Sequence, residues 1–275
     1  MFPKKCKTPL RYPGGKSRAT QKMFAFLPDM DNITAYHEGF IGGGSVAIAF
    51  ARLYPNIPIR INDKYYPLFN FWTVLQSSSA ELSERLLRLK EDHPNQEKAK
   101  ELFLRMKDVL LDEKTSEFDM AAAFFIVNKC SFSGLTQSSS FSKAASDSNF
   151  SRLGIANLVH YGHIMQGWKI TNLDYSELLT DDPNTFVYLD PPYDIKDSLY
   201  GNKGSMHKGF DHDEFARLCS AHSAPTMISY NDDERVTDRF GAWTHHRFPL
   251  TYTMRSTGSY SEDQKGRLEL LMVNY

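Results

Sequence analysis

The sequence predicts an α/β fold: a doubly wound, mostly parallel sheet carrying an inserted, mainly helical segment. Three observations predict it. Short apolar runs alternate with helical patterns towards both ends of the chain, and residues 71–165 show helical periodicity with no strand signal. The apolar run Val187-Tyr188-Leu189 leads straight into Asp190-Pro191-Pro192-Tyr193, as at the carboxyl edge of a parallel sheet.

In chain order, Thr34 to His37 reads as a strand, Ser45 to Leu53 as a helix and Ile57 to Ile61 as a second strand, which makes a βαβ unit. Asp63 follows, and Lys64 to Leu75 reads as a helix. In the inserted segment, Leu82, Leu86, Leu87 and Leu89, then Leu102, Phe103, Met106, Val109 and Leu110, recur at helical spacing and predict two core-facing helices. The serine-rich stretch Ser131 to Ser151, with Phe132, Phe141, Phe150 and Lys143 among the serines and Arg152 after them, reads as a loop. Interleaved aromatics and cations suit a nucleic-acid-facing surface. Strands resume at Trp168 to Thr171, Thr185 to Leu189, Thr226 to Ser229, Trp243 to Phe248 and Leu268 to Val273, with helices at Asp211 to His222 and Asp232 to Phe240. Strands interleaved with helices predict a sheet covered on both faces. The organisation expected is a core formed by 1–70 and 166–275 around an inserted lobe at 71–165.

Composition narrows the function. With 32 Lys and Arg against 33 Asp and Glu the chain carries no overall basic field, so any nucleic-acid footprint is local. A local excess exists at the N-terminus, where Lys4, Lys5, Lys7, Arg11, Lys16, Arg18 and Lys22 are accompanied by no acid. The three cysteines, Cys6, Cys130 and Cys219, are widely spaced and form no Cys-x-x-Cys pair, which argues against a disulfide framework or a zinc site. The histidines are scattered, and neither His160 with His163 nor His245 with His246 has carboxylates or thiols at ligand spacing, so no metal is expected. The longest apolar run, Met120 to Val127, is far short of the ~20 residues that span a bilayer, and no secretory stretch opens the chain. A cytoplasmic protein is expected, monomeric or weakly dimeric.

Three motifs carry chemistry. In Asp190-Pro191-Pro192-Tyr193 the prolines lock the backbone and contribute no N–H, so the corner presents oxygen acceptors without competing donors. The lone pair of an aromatic exocyclic amine is delocalised into its ring. Two acceptors, the Asp190 carboxylate and the Pro191 carbonyl, can hold the amine hydrogens so that the lone pair localises and attacks a sulfonium methyl, while Tyr193 stacks on the base. In Glu38-Gly39-Phe40-Ile41-Gly42-Gly43-Gly44-Ser45, closely spaced glycines at a helix start admit a cofactor to the backbone, and Asp63 lies at the spacing from which an acid accepts ribose hydroxyls. The segment Leu10-Arg11-Tyr12-Pro13-Gly14-Gly15-Lys16-Ser17 ends like a phosphate-binding loop, but Leu10 stands where that loop needs glycine and no strand precedes it, which excludes an ATPase.

Together these motifs resemble the Dam-type DNA adenine methyltransferases, over roughly residues 8–75 and 165–275 and in the same order. The resemblance implies a Rossmann-like methyltransferase sheet, S-adenosylmethionine as methyl donor, and methyl transfer to the N6 amine of an adenine flipped out of double-stranded DNA. It implies that Tyr12, Lys16, Asp63 and Asp190 contact the cofactor, with Glu38, Phe40, Gly42 and Gly44 in the glycine motif beside them. Members usually carry proline where this chain has Gly39, a change expected to loosen the turn. The Asn-x-Pro-Phe-Gly-like segment of members that read GATC is absent, so that target is not implied. Lys143 and Arg152 are the candidate DNA contacts, and Ile195 to Phe210, with Lys196, Lys203, His207 and Lys208, reads as a loop that closes beside the base. The Asp-Pro-Pro-Tyr logic also suits cytosine N4, an RNA base or a protein amide, but the motif order favours adenine. Intact Asp190, Tyr193, Tyr12 and Lys16 speak against a non-catalytic DNA-binding regulator.

Overall fold

The computed structural model describes residues 7–132, 139–193, 209–249 and 268–275. Lys4, Lys5 and Cys6, Ser133 and Gly134, and the predicted loop from Ile195 as far as residue 208 lie outside the described residues.

Seven strands form one sheet: β1 (Ala35–Glu38), β2 (Ile59–Asn62), β3 (Lys169–Thr171), β4 (Thr185–Leu189), β5 (Thr226–Asn231), β6 (Thr244–Pro249) and β7 (Leu268–Val273), in the order β3-β2-β1-β4-β5-β7-β6. The pairs β2–β3, β1–β2, β1–β4 and β4–β5 are parallel, and β7 runs antiparallel between β5 and β6. Chain order reverses between β1 and β4. In open α/β sheets the crevice beyond the carboxyl ends of two such strands is where ligands bind. The register Glu38↔Tyr188 sets the end of β1 beside the end of β4, so the glycine motif and Asp190 leave the sheet as neighbours.

Every residue of β4 is buried, because both sheet faces are covered. On one face α2 (Ser45–Leu53) lays Ile48 and Phe50 into the core, with Phe50 stacked on Tyr36 of β1 at 4.1 Å between ring centroids. On the other, α10 (His212–Ser220) and α11 (Glu234–Arg239) bury Phe215 and Val236 against Val187, Leu189 and Met272.

Between β2 and β3 lie α3 (Tyr66–Ser77), α4 (Ser79–Asp92), α5 (Gln96–Leu111), α6 (Glu117–Cys130), α7 (Lys143–Asn149), α8 (Arg152–Ala156) and α9 (Leu158–Ile164); α1 (Thr20–Met23) precedes the sheet. From Ala121 to Val127 α6 is apolar and buried on all sides, and the polar Asn128 and Lys129 follow at its C-terminal end, Lys129 8% exposed. The helix packs against α3, α4, α5 and α7. Of the residues predicted to face this core, Leu82, Leu86, Leu89, Leu102, Phe103, Met106 and Leu110 are buried, and Leu87 and Val109 pack at its margin. The same hydrophobic cluster continues onto Tyr36 and Phe186 of the sheet.

The serine-rich stretch departs from expectation. Its described part holds α7 and leads into α8, with Ser142 and Ser151 as N-caps accepting the amides of Ala145 and Gly154. A serine hydroxyl that satisfies an otherwise orphan amide starts a helix as readily as it decorates a loop. Phe150 is buried against Phe125, and Phe141 packs on Phe103, so these rings are core, not a stacking surface. Phe132 is exposed. Within the basic N-terminal run, Lys16 is buried, and Lys22 donates to the Pro249 carbonyl at 2.9 Å.

Candidate active site

The glycine motif is shaped by what packs on it. Gly42 and Gly44 have φ of +47° and +73°, left-handed values that glycine adopts without cost. A Cβ built on Gly42 or Gly43 would lie 3.0 or 2.9 Å from Tyr12, so the N-terminal motif lies directly on the glycine loop. A Cβ on Gly44 would meet Trp72 at 2.7 Å. The Trp72 indole donates to the Gly42 carbonyl at 3.2 Å, and the Gly42 amide donates to Asp63 Oδ2 at 3.3 Å. At Gly39 the expected loosening is not the dominant effect. Its amide donates to the Tyr188 carbonyl at 3.1 Å, a bond proline cannot make, and a Cβ there would lie 2.6 Å from Leu189 Cδ2.

Asp63, at the end of β2, is buried, and its Oδ1 accepts the Tyr65 amide at 3.0 Å. Burial pushes its pKa up to about 6, against the opposing pull of the Tyr65 and Gly42 amides. Glu38 is also held well above the ordinary carboxylate range: burial outweighs the Tyr36 hydroxyl, which donates to it at 2.6 Å, and the charge of Asp190 adds to the effect.

The centre is an ion cluster. The ammonium of Lys16, 1% exposed, lies 2.8 Å from both carboxylate oxygens of Asp190, 2.9 Å from the Gly14 carbonyl and 3.3 Å from Glu269. Burial works against that charge, but the two carboxylates outweigh it and raise the lysine pKa. Ser229 donates to Asp190 Oδ1 at 2.8 Å; its one hydrogen being used, the Tyr188 hydroxyl, 2.7 Å away, must donate to Ser229 Oγ. Each carboxylate oxygen has about two acceptor positions. Oδ1 has both filled, by Lys16 and Ser229, whereas Oδ2 has only Lys16 and retains one. Tyr193 donates its hydroxyl to Glu269 and stacks on Tyr230 with centroids 5.6 Å apart.

Lys16, Asp190 and Tyr193 line a cleft whose empty space, its solvent mouth included, is about 700 Å³. Tyr12, Lys16, Glu38, Phe40, Gly42, Asp63 and all four residues from Asp190 to Tyr193 line it. Gly44, expected with them, is not among the lining residues; its left-handed turn packs under the loop against Trp72. Lys143 and Arg152 lie away from the cavity, on the helical segment, both exposed, and Arg152 pairs with Glu91 at 2.9 Å. Sequence reading missed Ser45, whose hydroxyl accepts the Lys16 amide at 3.1 Å, together with Ser229 and Glu269. For Glu269 a signal was present, a single acid inside an otherwise apolar strand.

A parallel sheet with a switch point, and a glycine loop and an acid-proline corner lining one cavity beside it, define a class: α/β proteins with a ligand site beyond the carboxyl ends of their strands. The family model for D12 class N6 adenine-specific DNA methyltransferases matches residues 12–254, and the chain belongs to that family. It is 26% identical to the type II methyltransferase M.MjaIII of Methanocaldococcus jannaschii over 97% of this chain and 98% of that protein. It is 23% identical to the type II methyltransferase M1.LlaDCHI of Lactococcus lactis subsp. cremoris over 96% and 94%. A DNA N-6-adenine-methyltransferase of Escherichia phage P1 is 28% identical over 46% of this chain and 15% of that protein. The chain is therefore an adenine-specific DNA methyltransferase; family membership implies S-adenosylmethionine as methyl donor and DNA as substrate. The resemblance and the fold class read from the sequence are borne out. No helix among the described residues is long and apolar enough to cross a membrane.

Proposed function

We propose that the cavity beneath Tyr12 holds S-adenosylmethionine and that a flipped adenine presents its amine to Asp190 and the Pro191 carbonyl. The observation that carries this reading is the one acceptor position left on Asp190 Oδ2, on a side chain 22% exposed at the cavity wall. The residues fit the donor. The glycine loop admits a ligand close to the backbone, Asp63 stands where ribose hydroxyls are accepted, and net negative charge suits a cation. When bound, the donor supplies an electrophilic methyl on a sulfonium. Asp190 and Pro191 draw the amine hydrogens out of conjugation, Lys16 and Ser229 fix the carboxylate plane, and Tyr193 offers its ring to the base.

The test of the cofactor reading is pH. Folding raises Asp63 from 3.8 to about 6, and a ligand that donates hydrogen bonds favours its ionised form. Donor affinity is therefore full above that value and lost as pH falls through it, by about tenfold between pH 7 and 5. In Asp63→Asn this pH dependence disappears and the affinity is weak throughout. Calorimetry at both pH values checks this; identical profiles for the two proteins would place the ribose elsewhere.

For DNA, the helical segment supplies the cations. Among the described residues Lys129 has no carboxylate partner; its ammonium lies 5.4 Å from the Phe125 ring centroid beside Arg11. Burial and then the Arg11 charge lower its pKa to about 8. A phosphate of duplex DNA is a suitable partner for this pair. Exposed pairs such as Arg152–Glu91 contribute ~0–1 kcal/mol, so Arg152 can exchange its partner for DNA, and the exposed Lys143 is a second candidate contact. In Lys129→Met, DNA affinity falls and the salt slope drops by about 1. The same variant is more stable, because the folded state binds this proton poorly. That gain is complete below pH 8 and fades as pH rises towards the ordinary lysine value of 10.5. A variant with unchanged salt slope would assign Lys129 no role in DNA binding.

A further inference from the structure

Glu269 is 1% exposed in a strand whose other residues, Leu268 and Leu270 to Val273, are apolar. Burying a carboxylate is costly unless charge and hydrogen bonds compensate. Here both do, and the two partners belong to the two ends of the acid-proline corner. Lys16, 3.3 Å from Glu269, also grips both oxygens of Asp190, while Tyr193 at the other end donates its hydroxyl to the same Glu269 Oε1. The grip comes from outside the parallel part of the sheet: β7 pairs antiparallel with β5, Glu269 opposite Asn231. Lys16, Asp190 and Glu269 carry one net negative charge between them. Without Glu269 they would carry none.

We propose that Glu269 is a positioning residue for methyl transfer: it holds Lys16 and Tyr193 at the two ends of the corner, and its charge keeps the cluster net negative, favouring a cationic sulfonium over the neutral thioether it becomes. This rests on the reading that the cavity takes the methyl donor. Glu269 does not touch the reacting atoms. Its influence passes through Lys16 to the orientation of Asp190, and through the Tyr193 hydroxyl to the ring that meets the base.

Glu269→Gln keeps the shape and the oxygen that accepts Tyr193 but removes the charge. In folded E269Q, kcat falls by up to about 100-fold, as for small misplacements of catalytic groups. Calorimetry with S-adenosylmethionine shows a Kd about tenfold higher, from the lost attraction across a low-dielectric site. With S-adenosylhomocysteine, the neutral product, Kd is unchanged. A merely structural role would weaken both ligands alike, so equal weakening, or an unchanged kcat and donor Kd, overturns the proposal. If E269Q does not fold, Glu269→Asp carries the test, since it keeps the charge and withdraws the carboxylate by one methylene; full kcat there overturns it as well. Gly43→Val, which drives a side chain into Tyr12, is the control for the cavity. If G43V binds both ligands as well as wild type, the cavity reading fails and this proposal with it, whereas a normal cavity with a silent E269Q removes Glu269 alone.

Discussion

Asp190→Ala is expected to lower methyl transfer to duplex DNA by about 10³-fold or more, the upper range for deleting one preorganised polar group at a reacting centre. Two losses combine. The acceptor position on Oδ2 disappears, so the amine keeps one hydrogen in conjugation and its lone pair in the ring. Lys16 also loses its closest partner and is left with Glu269 and the Gly14 carbonyl, which draws the ammonium towards β7. Asp190→Asn separates the two. Its carboxamide oxygen, in the place of Oδ1, can accept from Lys16 and Ser229, but the NH2 in the place of Oδ2 gives up that oxygen's bond from Lys16 and turns donors towards the amine, where an acceptor is needed. D190N is therefore expected to preserve the melting temperature better than D190A without restoring turnover. Incorporation of a labelled methyl group into DNA, with chromatography of the nucleosides, measures both variants. An alanine variant with near-normal incorporation would move the chemistry away from this corner.

How much of this was legible in the sequence depended on how far apart the interacting residues lie. The elements that frame the site were readable because local pattern determines them. The helix Ser45–Leu53 and the strands Thr185–Leu189 and Leu268–Val273 coincide with their predicted bounds, each being a short apolar run or stripe bounded by turn residues or charge. The acid-proline corner was readable for the same reason. What could not be read were contacts made by the fold alone. Lys16 looked like one member of a basic run, yet its environment is set by Asp190, 174 residues away, and by Glu269. Ser229 is an unremarkable serine until β5 pairs beside β4 and sets its hydroxyl on Asp190. The serine-rich stretch misled for the opposite reason: serines suit loops and helix caps equally, and the buried Phe125 and Phe103 that decide between them belong to other helices.

Lys16→Met is expected to have the largest effect on stability, and its pH dependence is diagnostic. Removing one partner of a buried ion pair costs about 3–5 kcal/mol because the remaining charge stays desolvated. For a chain of this size that corresponds to a fall of roughly 6–20 °C in Tm. In the wild type, folding raises the Lys16 pKa, so its contribution is fully present below the ordinary lysine value of 10.5 and is lost only as pH rises through the raised value. Between pH 5 and 8 this group therefore adds no slope to wild-type stability. In the variant, Asp190 and Glu269 face each other with no cation between them, and uptake of a proton by the cluster relieves their repulsion. The folded variant then binds more protons than the unfolded chain, so its stability rises as pH falls from 8 to 5. Denaturant unfolding at the two pH values measures the difference. Adding Glu269→Gln to Lys16→Met should recover part of the loss, because it deletes one of the two like charges; neighbours in one charge network are not expected to add. A deficit equal at pH 5 and pH 8 and untouched by the second substitution would mean that Lys16 acts by packing its methylene stem, with the ion cluster contributing little to the fold.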